Sequence, residues 1–141
     1  MALPAGSNPN TVKPDPRYTI KLKYDYDSNG RLVEDGSYGN DGSFRVRYTY
    51  KYKDGQKEVV SYDGNGKVLR KYIYTVDDKG LETAREEYDL KDSKVTESVS
   101  FKYEFDAHGN WIKRTDLVSV TKDGKTDLVE RAAFYRTITY F

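Results

Sequence analysis

An all-β fold is what this sequence predicts: an antiparallel meander of about nine strands in one curled or rolled sheet, built from hairpin repeats, with an extended proline-rich N-terminal arm. Three observations predict it. Apolar and polar residues alternate with period two over long stretches, eight short turn signals punctuate them, and a tyrosine-rich motif ending in a turn glycine recurs at Gly30, Gly55, Gly80 and Gly109, intervals of 25, 25 and 29 residues.

The elements follow in chain order. All four prolines, Pro4, Pro9, Pro14 and Pro16, fall within the first 16 residues. Proline gives no hydrogen bond to a sheet ladder, so residues 1–17 are expected to be an extended arm or linker, at about 3.1 Å per residue where it is polyproline-like. Two roles suit such a segment: a link to a leader or neighbouring domain, or an assembly arm that docks on the sheet edge of another subunit. Residues 18–141 are expected to form the sheet domain. Its opening strand sets Tyr18, Ile20, Leu22, Tyr24 and Tyr26 against Thr19, Lys21, Lys23, Asp25 and Asp27, an alternation that places the two sets on opposite faces. The same alternation returns from Phe44 to Lys53 and from Val99 to Asp106.

Between the strands stand Ser28-Asn29-Gly30, Gly39-Asn40-Asp41-Gly42, Asp54-Gly55, Asp63-Gly64-Asn65-Gly66, Asp78-Lys79-Gly80, Lys91-Asp92-Ser93, His108-Gly109 and Asp123-Gly124. Asn-Gly and Asp-Gly supply the positive φ angles that tight hairpins demand, so each connection reads as a hairpin. Residues 81–90 contain good helix formers, yet they lie between two turns in step with the repeat, and Ala84, Tyr88 and Leu90 share one face at strand spacing; a strand is predicted. One greasy and one charged face result. The greasy face has to be covered, by curling inward or by a partner sheet.

Composition fits a small domain with its own core. The chain carries 14 Tyr, 5 Phe and 33% charged residues, and it has no cysteine, which excludes disulfides, thiol catalysis and cysteine-ligated metals. With 24 basic and 23 acidic side chains mixed along the strands, no basic stripe exists for phosphates, and nucleic acid is not expected as a partner. Residues 1–6 lack a basic and apolar leader pattern, and no stretch has the length of a membrane span.

The motif Tyr24-Asp25-Tyr26-Asp27-Ser28-Asn29-Gly30-Arg31-Leu32 and its counterpart Tyr103-Glu104-Phe105-Asp106-Ala107-His108-Gly109-Asn110-Trp111 resemble the tyrosine–aspartate (YD) repeat of the RHS family. The copy from Tyr72 to Leu81 reads longer before its glycine, and the copy at Tyr50 carries Lys53 in place of the aspartate. The resemblance implies a spiralling sheet of hairpins used as a scaffold in bacterial surface and secreted proteins, hence a life outside the cytoplasm. This chain is too short for a closed shell of that kind.

Candidate sites weigh against chemistry. His108 is the only histidine and sits in a turn, where it is expected to be a plain turn residue. The carboxylates at Asp25/Asp27, Asp77/Asp78, Glu86/Glu87 and Glu104/Asp106 lie beside lysine and arginine, the setting of cross-strand ion pairs. Asp63-Gly64-Asn65-Gly66-Lys67 begins like a calcium loop but lacks its later ligands, and Gly36-Ser37-Tyr38-Gly39 opens no helix for a phosphate. Most rings are expected in the core, with arginine or lysine over some of them. No cofactor, metal or catalytic group is assigned. The leading expectation is a non-enzymatic structural or interaction module of a bacterial surface or secreted assembly, with protein partners that include copies of itself. The alternative is a carbohydrate- or small-ligand-binding domain that uses Tyr24, Tyr26, Tyr103 and Trp111 as a glycan platform.

Overall fold

The computed structural model describes residues 20–141, and the arm with Pro4, Pro9, Pro14 and Pro16 lies outside the described residues. The described chain is all β. Its strands are β1 (Lys21–Tyr26), β2 (Leu32–Tyr38), β3 (Phe44–Lys53), β4 (Gln56–Asp63), β5 (Val68–Val76), β6 (Glu82–Tyr88), β7 (Val95–Phe105), β8 (Trp111–Lys122) and β9 (Lys125–Tyr135). The helix-prone stretch is β6, a strand as its place between two turns requires. All nine pair antiparallel in sequence order within one sheet, whose edge strands among the described residues are β1 and β9. The sheet stays open. Among the described residues, the backbone of each strand lies only against its neighbours in sequence.

Two kinds of turn make six of the eight connections of the meander. In the first, Asp27 Oδ1 accepts the backbone N–H groups of Asn29 and Arg31, both at 2.9 Å, while the Gly30 N–H donates to the Asp27 carbonyl at 3.0 Å. Asp63, Asp77 and Asp106 repeat this arrangement at distances within 0.1 Å of these. The aspartate is therefore a turn anchor, satisfying two donors that a loop would otherwise leave to water. The glycine three residues later has φ of +74° at Gly30, a conformation that costs any other residue about 1–2 kcal/mol. In the second kind, Asp54-Gly55 and Asp123-Gly124 have φ of 46° and 74°, and 52° and 75°, the paired positive values of a two-residue hairpin.

Register realigns the repeat. Tyr24 pairs with Asp35, Tyr74 with Arg85 and Tyr103 with Arg114, each three residues before an anchoring aspartate. The third copy thus begins at Tyr74, with Val76 in place of the second aromatic, and has no extra residue. The Tyr50 copy ends in the other kind of turn and is not equivalent.

Burial differs from expectation. Among the described residues, the only buried hydrophobic side chains are Val59 at 8% and Val99 at 1% exposure, whereas Tyr24 and Tyr26 are more than half exposed. The tyrosine face is not a covered core. A single-layer open sheet has nothing to lay over it, so the rings are shielded only by their neighbours within the sheet. Among the described residues, no helix is long and apolar enough to cross a membrane.

Candidate functional site

Cross-strand partners share a face, so the register sorts every side chain. One row runs Tyr52, Lys57, Tyr74, Arg85, Val99 from β3 to β7, and another runs Tyr103, Arg114, Phe134 from β7 to β9. Along these rows rings come from odd-numbered strands and most charges from even-numbered ones, on the same face, with Glu97 on β7 and Arg70 on β5 as exceptions. This corrects the expectation of one greasy and one charged face. Strand alternation holds within each strand, but successive strands place opposite chemistry side by side.

The result is a ring-and-cation lattice. Arg114 lies between the rings of Phe101 and Phe134, 4.7 and 4.6 Å from their centroids, and its Nε is 2.8 Å from Asp116 Oδ1. Arg85 lies over Tyr72 at 5.1 Å and donates from Nη2 to Glu97 Oε2 at 2.8 Å. Lys57 covers Tyr74 at 4.8 Å and pairs with Glu82. Cations over ring faces, flanked by carboxylates, are mutually stabilising when partly desolvated. The tyrosine hydroxyls are also used: Tyr52 donates to the Leu32 carbonyl at 2.8 Å and Tyr103 to the Glu82 carbonyl at 2.7 Å. Burial, then the nearby Asp35 carboxylate, pushes the Tyr50 phenol well above its ordinary value.

The expected platform residues fall in two places. Tyr24 and Tyr26 stand on the free edge strand β1, while Tyr103 and Trp111 meet on β7 and β8 with centroids 6.0 Å apart. Six strand spacings, about 29 Å, separate β1 from β7. Trp111 is not an open platform, because the Arg136 guanidinium lies 4.2 Å from its ring centroid and donates to the Trp111 carbonyl at 2.8 Å. Phe105, half exposed, is the accessible ring there. It lines a cleft of about 650 Å³ with Trp111, Arg136, Asn110 and the Asp77–Leu81 turn.

His108 is a turn residue whose ring stacks on Tyr140 at 4.1 Å, and the Tyr140 hydroxyl donates to Asp106 Oδ2 at 2.5 Å. Most of these carboxylates are occupied in structure: Asp27, Asp77 and Asp106 in turns, Asp25 with Lys23 at 2.7 Å, Glu104 with Lys113 at 3.1 Å and Glu86 with the Tyr88 hydroxyl at 2.6 Å. Among the described residues, no group of three His, Asp or Glu side chains could hold a metal ion. What sequence reasoning missed is the charged set on the ring face, Asp35, Arg85, Glu97, Arg114 and Asp116. Their signal is position relative to the turn aspartate, visible only once the copies are aligned by register.

No protein-family model matches the chain, and no curated protein does. Two solved structures are similar in fold. One is a porin-like protein from Bacteroides uniformis ATCC 8492, with a TM-score of 0.57 and 13% identity over 83% of this chain. The other is a protein with unknown function from Bacteroides fragilis NCTC 9343, with a TM-score of 0.53 and 10% identity over 84% of this chain. The chain spans 58% of the length of the first and 92% of the second. At such identities the likeness concerns the fold alone.

Proposed function

We propose that the chain is a non-enzymatic structural and interaction module, a unit of a bacterial surface or secreted assembly whose partners are proteins, copies of itself included. The observation that carries this reading is the open single-layer sheet, which keeps rings half exposed instead of enclosing them around a pocket. Exposed apolar surface of this extent is the ordinary mark of an interaction surface. The hairpin repeat that resembles the YD motif supports a scaffold role and an address outside the cytoplasm. Lys21 and Lys23 on the free edge β1, and a bulge beside Arg131 in β9, guard the edges against indiscriminate strand pairing, so contact through the face or a dedicated arm is favoured. Light scattering across concentration, on the full chain beside a variant that begins at Arg17, tests the reading. Dimers or longer species formed only by the full chain support assembly through the arm. Species formed by both support assembly through the sheet, and two monomers with no captured protein partner sink the proposal.

The cleft beside Phe105 favours a second reading, a carbohydrate site with Phe105 as stacking ring and Asn110 and Asp78 as polar rim. Glycan-array binding that Phe105→Ala abolishes supports it, and an array without hits removes it.

A further inference from the structure

Three hairpins that carry the tyrosine motif, β1–β2, β5–β6 and β7–β8, are equivalent about the anchors Asp27, Asp77 and Asp106, while β4–β5 shares the turn about Asp63 but has Val60 facing Lys71 in the tyrosine's place. Eight residues beyond each anchor, facing the first tyrosine of the motif, two of them carry a guanidinium, Arg85 and Arg114, laid on the rings of Tyr72, Phe101 and Phe134. The first hairpin carries Asp35 there, with Tyr24 as its neighbour on β1 and Tyr48 on β3. The charge is inverted and the side chain is shorter. A hollow of about 160 Å³ remains, walled by Leu22, Tyr24, Val46 and Tyr48 with Asp35 and Ser37 at its floor. That is below the usual size of a sugar or cofactor pocket and suits one long side chain. Asp35 Oδ2 accepts only a long 3.3 Å bond from the Tyr50 hydroxyl, and Oδ1 is buried with no donor at all. A buried carboxylate oxygen without a donor is costly, and a cation that reaches it gains both charge and hydrogen bonding.

We propose that Tyr24, Asp35 and Tyr48 form a receptor for an arginine side chain presented by an extended segment of a partner protein. The guanidinium enters between the two tyrosine rings as Arg114 enters between Phe101 and Phe134, and donates to the Asp35 carboxylate, a small parting of the rings opening Oδ1. The sheet itself sets the precedent for reach, since Arg131 on β9 crosses β8 to meet Glu97 on β7. An arginine on a strand lying beyond the free edge of β1 would cross one strand in the same way. The inference rests on the interaction-module reading and names the chemistry of its partner.

The test is a nuclear magnetic resonance titration of the full chain with the peptide acetyl-Thr-Arg-Thr-Arg-Thr-amide at low salt. Saturable shifts confined to residues around Leu22–Tyr24, Asp35–Ser37 and Val46–Tyr48 are expected. Replacement of both arginines by citrulline is expected to weaken binding at least tenfold, and so is Asp35→Asn in a chain whose circular dichroism is unchanged. Tyr24→Ala, at a half-exposed edge position that does not threaten folding, is expected to weaken it several-fold. Equal binding by the citrulline peptide, equal binding by both variants, or no shifts at millimolar peptide overturns the proposal. Self-association by light scattering with no peptide shifts would remove this receptor and leave the module reading standing. Peptide shifts in a chain that stays monomeric would keep the receptor and remove self-assembly.

Discussion

Arg131 reaches from β9 across β8 to bring its Nη1 within 2.5 Å of Glu97 Oε1 on β7. It can do so because β9 bulges there: Leu117 pairs with Glu130 and Asp116 with Ala132, leaving Arg131 as the extra residue, pushed out over the ring face. Glu97 thus gathers two guanidiniums, Arg131 and Arg85, and ties three strands together.

Glu97→Gln is expected to cost about 1 kcal/mol, the pair being partly exposed. Burial pushes the Glu97 carboxyl up, but Arg131 and Arg85 outweigh it and hold the group below its ordinary value. A carboxyl depressed in the folded state stabilises above its unfolded value of about 4.3 and loses that contribution as pH falls through the folded one. Urea midpoints between about pH 5 and pH 3 should therefore fall more steeply for the native chain than for the variant.

Asp77→Ala removes the acceptor of two backbone N–H groups and is expected to cost about 1 kcal/mol, with Asp77→Asn milder because its amide oxygen still accepts. Gly80→Ala should cost about 1–2 kcal/mol for another reason: an added Cβ there meets nothing within 4 Å, so the whole penalty is its φ of +80°. Denaturant unfolding of the two variants checks both.

Those turns were the most legible part of the sequence. Gly30, Gly80, Gly109 and the paired Asp54-Gly55 announce positive φ by composition, and the alternation from Tyr18 to Asp27 or Phe44 to Lys53 has no other periodic reading. The third copy was misplaced by two residues, because Tyr72 and Tyr74 offer two equivalent starts and only the pairing of Tyr74 with Arg85 chooses between them. The candidate site was less legible. Tyr24 and Tyr103 share a motif position but lie six strand spacings, about 29 Å, apart, and the significance of Asp35 depends on which strand lies beside β2, a relation absent from local pattern.

Val99 is 1% exposed, and Val99→Ala is expected to cost about 2 kcal/mol. Val129, in the same row but 50% exposed, should lose no more than about 0.5 kcal/mol on the same change. Paired thermal or urea unfolding decides whether the small buried seam beneath the rings carries the sheet.

Arg114→Lys keeps the charge but loses the planar fork that spans Asp116 and both rings; about 1 kcal/mol of destabilisation is expected. A double-mutant cycle with Asp116→Asn should give a coupling of about 0.5 kcal/mol or more, the measure of the ion pair apart from the stacking.

Because every strand pairs its backbone only with its neighbours in sequence, and only a few long side chains such as Arg131 and Lys57 reach past a neighbour, the molecule behaves as a zipper whose teeth are hairpins. Stability then accumulates step by step along one dimension, and a closed interior never has to be refilled when the length changes. Removing or duplicating a whole hairpin would leave the remaining pairings intact, so the gene can lengthen or shorten the sheet without redesigning it. Folding shares this locality: pairing can begin at any tight turn and spread outward, and hydrogen exchange should open from β1 and β9 toward the middle.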